Sequence, residues 1–142
     1  MAVLDILNGT VTYNKAKFRP HDRQKVRVAK VTHNCAANSL TAGNAIAMIP
    51  IPIGAVVLSA SLKVDTVEDS AAVISLGVAE DGVTFVSGAN AQVANLVSPS
   101  LVCGYPFSAA GNIYLSADNA CDTLVTTVTA VYVETDAQVA KN

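Results

Sequence analysis

The chain has 142 residues, of which 51% are hydrophobic, 14% charged and 5% aromatic, and its formal net charge is −2. This length suits one domain with a sizeable core, and the composition excludes a disordered chain, a disulfide scaffold and a heptad coiled coil. The longest apolar stretch, residues 45–58, contains Pro50, Pro52 and Gly54, which excludes a membrane-spanning helix.

The charges are unevenly distributed along the chain. Residues 1–30 contain seven Lys or Arg and two Asp, a local charge of +5, whereas the remainder contains two Lys and nine carboxylates, a local charge of −7. Such polarity indicates an anionic partner, whether a nucleic acid, a membrane or an acidic protein surface. A solvated basic strand and loop is the alternative. We therefore divide the chain into residues 1–24, an N-terminal arm or first strand, and residues 25–142, a single β-sandwich domain.

The N-terminal residues and the cysteines indicate no special compartment. Residues 1–8 are apolar but short, and Asp5 stands where a secretory signal would be basic, so we expect synthesis in the cytoplasm. Cys35, Cys103 and Cys121 lack CxxC spacing, which argues against a redox motif or a zinc site and favours buried thiols. No cofactor and no membrane contact are expected.

Alternating apolar residues predict strands from about residue 24 onward. In residues 25–28 two valines alternate with Lys25 and Arg27. Three further runs each place an apolar set on one face. These sets are, in chain order, Leu58, Ala60, Leu62 and Val64; then Ile74, Leu76 and Val78; then Ile113, Leu115 and Ala117.

The last strand pattern, residues 123–135, is apolar on both sides. One side carries Val125, Val131 and Val133, and the other carries Leu124, Val128 and Tyr132. This pattern predicts a strand that is covered on both faces.

Turn residues separate these runs at short intervals. Clusters of Gly, Asn and Asp lie at residues 42–44, 80–82, 87–90, 110–112 and 117–119. Pro50 and Pro52 predict a strand end or an edge strand, and residues 89–97 permit one helical turn. Short strands between regular turns predict an antiparallel sandwich or barrel.

Candidate catalytic residues are few. His21 and His33 are the histidines of the chain, and neither accompanies a GxSxG nucleophile elbow. His33 and Cys35 would share a face of an extended strand, but no third group supports a dyad. A small hydrolase that uses either histidine is the least favoured function, and the chain is not predicted to be an enzyme.

Carboxylate pairs occur at residues 68–69 and 80–81. A glycosidase would also need aromatic platforms, and the chain has no Trp. Asp65 with the first pair lacks the calcium-loop pattern, and Gly77 with Gly82 lacks the lysine of a phosphate-binding loop. Solvated loops explain both pairs, and no metal is expected. Nucleic acid is also not expected, because Phe18 is the one aromatic residue interleaved in the basic segment.

Low charge and a high content of Ala, Val, Ser and Thr predict that neighbours cover part of the surface, which favours self-association. The run Ile49-Pro50-Ile51-Pro52-Ile53-Gly54-Ala55-Val56-Val57-Leu58, continued by residues 60–64, resembles the IPIPxGAxVLxxxL stretch of small virion proteins of tailed bacteriophages. Residues 73–78, 81–82, 114–118 and 131–133 extend this resemblance over residues 42–135.

The resemblance implies a capsid decoration, or cement, protein with an antiparallel β-sandwich of jelly-roll type. Such a protein binds the outside of the head, often as a homotrimer, and locks neighbouring major capsid proteins against internal pressure. The family has no catalytic residues to transfer to this chain. The rival interpretations are another virion component, such as a tail or head-completion subunit, and a carbohydrate- or receptor-binding jelly roll that uses Tyr105, Phe107 or Tyr114.

The basic segment is not part of the family pattern, so its role is inferred from charge. A basic arm with one apolar anchor suits an acidic capsid surface. A strand between subunits of the trimer is the alternative role. We predict capsid contacts by Lys15, Lys17, Phe18, Arg19, Arg23, Lys25 and Arg27.

Overall fold

The computed structural model describes residues 25–80 and 82–134. Within these ranges the chain forms strands joined by turns and loops, without a helix, and accordingly no described helix has the length and hydropathy needed to cross a membrane. The strands are β1 (Lys25–Asn34), β2 (Ala45–Ile51), β3 (Val56–Thr66), β4 (Val73–Gly77), β5 (Val86–Asn90), β6 (Val97–Ser98), β7 (Tyr105–Pro106), β8 (Gly111–Ala117) and β9 (Val125–Glu134).

The strands form two antiparallel sheets. Sheet 1 has the order β1-β9-β3, and the short strands β6 and β7 both pair with β3; sheet 2 has the order β2-β8-β4-β5. Along the chain, β1 pairs with β9, β2 with β8, β3 with β6 and β7, and β4 with β5. These pairs form one long antiparallel ribbon that alternates between the sheets, which is the jelly-roll arrangement. The predicted fold class is confirmed.

The core lies between the two sheets. Each sheet contributes alternate residues, as the period of two requires when one face is buried. The largest fully buried apolar side chains are Phe85, Leu40, Ile49, Ile51, Leu62, Ile74, Leu76, Ile113, Leu115, Leu124 and Val57. Core packing constrains only the residues on the inward face of each sheet. The residues on the outward faces can therefore be suited to contacts with other segments or molecules.

The predicted inward faces of β4 and β8 are confirmed, and that of β3 is confirmed except at its start. Ala60, Leu62 and Val64 are buried, but Leu58 is 41% exposed. The pairing of β3 with β9 shifts register between Val57 and Ser59, and this β-bulge moves the inward position from Leu58 to Val57.

Three local predictions are wrong, and one is confirmed. The cluster at residues 110–112 is not a turn, because Gly111 and Asn112 pair with β2 as the first residues of β8. Residues 87–90 belong to β5 rather than to a turn. Gly88 has a φ of +67° and lies where the pairing of β5 with β4 shifts register, and a glycine adopts this conformation without strain. Residues 91–95 form turns, and no helical turn occurs between residues 89 and 97. Pro50 lies near the end of β2, which is an edge strand of sheet 2, as predicted.

Candidate assembly surface

The outward face of sheet 1 carries a cluster of aliphatic side chains that we call the valine patch. Two rows of neighbouring residues across the sheet form it. The first row is Val26, Val133 and Val56, and the second is Val28 and Val131, followed by Ser59. Leu58 lies at the bulge beside the second row. The β-branched residues that favour strand formation are therefore also the residues that make this surface apolar.

The valine patch is exposed where it lies on β1. Val26 is 63% and Val28 is 69% exposed, whereas their partners on β9 are half-buried. The sequence predicts that β9 is covered on both faces, and its assignment of side chains to the two faces is confirmed. The cover is found on one face only, because the described part of the chain places nothing over Val131 and Val133.

Polar side chains occupy the rest of the outward face of sheet 1. The third row is Lys30, Thr129 and Ser61, and the fourth is Thr32, Thr127 and Lys63. The hydroxyls of Thr32 and Thr127 are 2.8 Å apart. The face thus changes from apolar at the start of β1 to hydroxyl-rich and charged beyond Lys30.

The described cations all lie on sheet 1. They are Lys25, Arg27 and Lys30 on β1 and Lys63 on β3. Lys63 Nζ lies 3.6 Å from the Asp65 carboxylate. Most of the described carboxylates lie in loops instead, and the two on sheet 1, Asp65 and Glu134, lie beside Lys63 and Arg27.

The structure describes two of the seven predicted capsid-contact residues. Lys25 is exposed at the start of β1, and Arg27 lies 3.4 Å from Glu134 on the neighbouring strand β9. Both face away from Val26 and Val28, as the alternation predicts. The other five, Lys15, Lys17, Phe18, Arg19 and Arg23, lie outside the described residues, as does the predicted arm, residues 1–24.

Strand β1 is an edge of sheet 1. Among the described strands it pairs with β9 alone, so one side of its ten-residue backbone has no strand partner there. Exposed edge strands with apolar side chains promote pairing with further chain segments unless charges or a cover protect them. The edge and the valine patch therefore form one continuous surface suited to contact with another segment.

A second feature, which the sequence does not reveal, is a buried carboxylate at one end of the sandwich. Glu68 is 1% exposed, and its Oε2 accepts hydrogen bonds from the backbone N–H groups of Asp122, Thr123 and Leu124 at 3.1, 3.1 and 2.9 Å. The interpretation of residues 68–69 as a solvated pair is therefore wrong for Glu68. Its partners lie 54 to 56 residues away, and no local pattern announces such a contact.

The environment of Glu68 controls its charge. Burial alone would raise the pKa of Glu68, but the three backbone N–H donors and a hydrogen bond with Asp69 lower the pKa below its usual value. The same hydrogen bond is the main cause of the raised pKa of Asp69. The ionised form of Glu68 therefore holds the loop before β9 against the loop after β3.

The carboxylates of Glu68, Asp69 and Asp122 approach one another within 4.8 Å. Asp65, considered with residues 68–69 as a calcium ligand, is not part of this group and instead accepts a hydrogen bond from the Thr127 hydroxyl at 2.5 Å. Three backbone N–H groups donate to one oxygen of Glu68, and these donors stabilise its negative charge.

The candidate nucleophile and base have structural partners. The Nε2 atom of His33 lies 2.8 Å from the Asn38 carbonyl oxygen. Cys35 and Cys121 are buried, as predicted. Burial is the main cause of the raised pKa of both thiols, and it raises the pKa of Cys121 to about 12. Buried thiols of this kind are poor nucleophiles. Cys103 is exposed instead, so the prediction of a buried thiol is wrong there.

The candidate glycan-binding aromatics are divided between core and surface. Phe85, Tyr105 and Phe107 form an edge-to-face series with ring centroids 5.8 and 5.5 Å apart, and Phe107 is buried. Tyr114 lies half-buried on β8, where its hydroxyl is 3.5 Å from the Asn112 amide nitrogen. Tyr105 and Phe107 thus serve the core rather than offering an open stacking platform.

Comparison with known proteins shows the fold. No family model matches the chain, and no curated protein matches its sequence. A chain of the acidic stable capsid structure of Helicobacter pylori bacteriophage KHP30 is similar, with a TM-score of 0.62 and 16% identity, over 79% of this chain and 92% of that one. The chain shares its fold with proteins of phage capsid structures.

Two further phage structures contain the same fold. A chain of the cyanophage Pam1 capsid asymmetric unit matches with a TM-score of 0.57 and 18% identity, over 80% of this chain and 85% of that one. A chain of the capsid of Ralstonia phage GP4 matches with a TM-score of 0.55 and 13% identity, over 78% and 84%. In each case the sandwich occupies most of the similar chain.

Proposed function

We propose that this chain is a structural, non-enzymatic component of a bacteriophage virion, and specifically a decoration protein on the outer surface of the head. The observation that carries the proposal is the match of its jelly-roll sandwich to chains of three phage capsid structures, which extends over most of each similar chain. The charge-poor sequence supports a protein whose surface is partly covered in an assembly.

The proposed mechanism is stabilisation by selective binding. A protein that binds the assembled shell but not the separated major capsid proteins shifts the equilibrium toward the shell by mass action. Each contact need not be strong, because a homotrimer that bridges several capsid proteins gains from a high effective concentration after the first contact. The trimer and the major capsid partner are parts of this proposal.

The proposed contact to the capsid is electrostatic and uses the basic segment. Lys15, Lys17, Phe18, Arg19, Arg23, Lys25 and Arg27 supply six of the seven cations of residues 1–30 and one apolar anchor. The body has the opposite net charge, so the segment and not the body is suited to an acidic surface. The Arg27–Glu134 pair holds one of these cations at the edge of the sandwich.

Cryo-electron microscopy of purified particles that contain the chain tests its location. We expect sandwich-shaped density on the outside of the head at a repeated lattice position. Density at the tail or at the head–tail junction would favour another virion component, and an absence of bound chain from the particles would overturn a structural role. Shells stripped of the chain should rupture at lower temperature than shells to which it is added back.

Deletion of residues 1–24 tests the contact itself. We expect occupancy on stripped shells to fall at least tenfold at equal protein concentration, while the circular dichroism of the sandwich stays that of the full chain. Occupancy that is unchanged by the deletion would refute capsid contact by the arm. A loss of trimers in the deleted protein would instead support the strand between subunits.

A further inference from the structure

The valine patch requires a cover that the described residues do not provide. Five valines on three adjacent strands are apolar, and the two on β1 are mostly exposed. The strand at its centre, β9, has the two-sided apolar pattern of a strand buried on both faces. The core covers the inward face of β9, whereas no described residue covers its outward face.

The chain outside the structure enters at the edge of this patch. Lys25 opens β1 and is followed at once by Val26, so residues 1–24 leave the sandwich beside the first row of the patch. The first seven residues, Met-Ala-Val-Leu-Asp-Ile-Leu, are mostly large and apolar. The C-terminal residues 135–142 also leave from the first row but contain Val139 as their one large aliphatic residue.

Charge also favours the N-terminal residues. Their one charged side chain, Asp5, is opposite in sign to Lys30, the first charged residue beyond the patch. The rest of the segment is basic, and pairing it along β1 would place Lys15 and Lys17 near Lys25, Arg27 and Lys30. Like charges on neighbouring strands are destabilising, so the basic part is not suited to cover this surface.

We propose that residues Ala2–Leu7 of the chain fold back in cis and cover the valine patch on the outward face of sheet 1. The 17 residues between this segment and Lys25 span up to about 58 Å when extended. The ten-residue strand β1 is about 33 Å long, so the linker is long enough for residues 2–7 to reach any part of the patch. Attachment to the same chain gives these residues an effective concentration in the millimolar range, which favours their own patch over that of a second copy.

This arrangement changes how the basic residues are presented. With residues 2–7 held on the sandwich, residues 8–24 become a loop fixed at both ends, and four of the predicted contact cations, Lys15, Lys17, Arg19 and Arg23, lie within it. A loop fixed at both ends loses less conformational freedom on binding than a free arm does. The inference goes beyond the proposed function and does not depend on it, because the isolated protein suffices to test it.

Disulfide trapping tests the position of the N-terminal residues. In the full chain with Cys103→Ser, the pair Leu4→Cys and Val28→Cys should oxidise to a disulfide within one chain in most molecules, shown by peptide mass spectrometry of the monomer-sized product. The matched control pairs Leu4→Cys with Val83→Cys, which is 50% exposed but lies in the loop before β5. The control pair should form at least fivefold less disulfide.

Each alternative cover predicts a different result. Disulfides only between chains would overturn the cis arrangement in favour of exchange with a second copy. If the 4–28 disulfide forms to no greater extent than the 4–83 disulfide of the control, the proposal is overturned. Deletion of residues 2–7 supplies a second measurement: binding of a hydrophobic dye should rise severalfold and should return to the original value when Val26→Ser and Val28→Ser are added. Unchanged dye binding after the deletion would contradict the proposal.

Discussion

A single carboxylate, Glu68, connects two loops that are more than 50 residues apart in the sequence. It is buried, and three consecutive backbone N–H groups before β9 donate to one of its oxygens. The loop from Asp122 to Leu124 thus obtains its hydrogen-bond partners from one side chain. Buried N–H groups without partners are costly, so the carboxylate is required by the backbone that surrounds it.

Replacement of this carboxylate tests its contribution. Glu68→Ala leaves three N–H groups without their acceptor, and we expect the free energy of unfolding to fall by about 3 kcal/mol. Urea denaturation followed by circular dichroism measures the change. The control is Glu80→Ala, which removes an exposed carboxylate and should change stability by less than about 0.5 kcal/mol. Equal effects of the two substitutions would contradict the proposed role of Glu68.

The pKa of Glu68 also predicts a dependence of stability on pH. Its pKa is lower in the folded protein than in the unfolded chain, so its contribution is complete above the unfolded pKa, about 4.3, and is lost as the pH falls through the folded pKa. The raised pKa of Asp69 acts in the opposite direction, but Asp69 is exposed and solvent screens it.

Glu68→Gln removes this titration while it keeps an oxygen acceptor. The difference in unfolding free energy between the original protein and this variant should be largest near pH 7 and should narrow below about pH 5. Urea midpoints at pH 7, 5, 4 and 3 measure it, with Glu80→Gln as the control. A difference that stays constant over this range would show that the charge of Glu68 does not contribute.

At the scale of elements, the end of β4 depends on a close approach of two glycines. A Cβ atom built on Gly77 would overlap the backbone of Gly82, so Gly77→Ala forces the two segments apart. We expect a loss of about 2 kcal/mol, as for other overpacked sites. Gly43 is the matched control, because its φ of +78° strains an alanine but no atom lies within 4 Å of the added Cβ.

The control should cost about 1 kcal/mol, which is the typical strain of a left-handed alanine. Thermal unfolding of both variants separates steric overlap from backbone strain. If Gly43→Ala cost more than Gly77→Ala, the close packing of the two glycines would not be important. This close packing also explains the spacing of Gly77 and Gly82, which resembles a phosphate-binding loop in sequence but serves the turn after β4.

The elements differ in how far the sequence predicts them. Strands β4 and β8 are predicted with their correct faces, because one face of each is uniformly apolar. Strand β5 is missed, since Gly88 and Asn90 are typical turn residues. In the structure Asn90 pairs with Val73 on β4, and the Gly88 N–H donates to the Ser75 hydroxyl. The two-residue strands β6 and β7 are too short to give any period. The bulge at Leu58 arises from pairing with β9, and no property of β3 alone indicates it.

The surfaces show the same division between local and non-local information. Both sides of β9 are apolar in its own sequence, so the sequence implies an apolar outward face on this strand. It does not show which residues of β1 and β3 complete the valine patch. Glu68 is not predictable in this way, because its role depends on donors contributed by a distant loop. Local periodicity identifies faces, whereas bulges, buried carboxylates and glycine contacts depend on the assembled fold.

For the whole molecule, the arrangement of charge is more informative than its sum. The net charge of −2 combines a basic N-terminal segment with an acidic body, and the described cations lie on sheet 1. If the basic segment contacts an acidic shell, the position of each removed charge should determine its effect. Two pairs of lysines allow this to be tested at constant net charge.

The first variant carries Lys15→Gln and Lys17→Gln, and the second carries Lys63→Gln and Lys141→Gln; both have a net charge of −4. At about 50 mM salt we expect the first to bind stripped shells about tenfold more weakly than the original chain and the second to change binding less than twofold. Raising the salt to about 500 mM should weaken the binding of the original chain and remove most of the difference between the two variants. The Debye length is then about 4 Å, so charges farther apart than this are screened from one another. Equal losses in the two variants would show that net charge, and not the basic segment, governs binding.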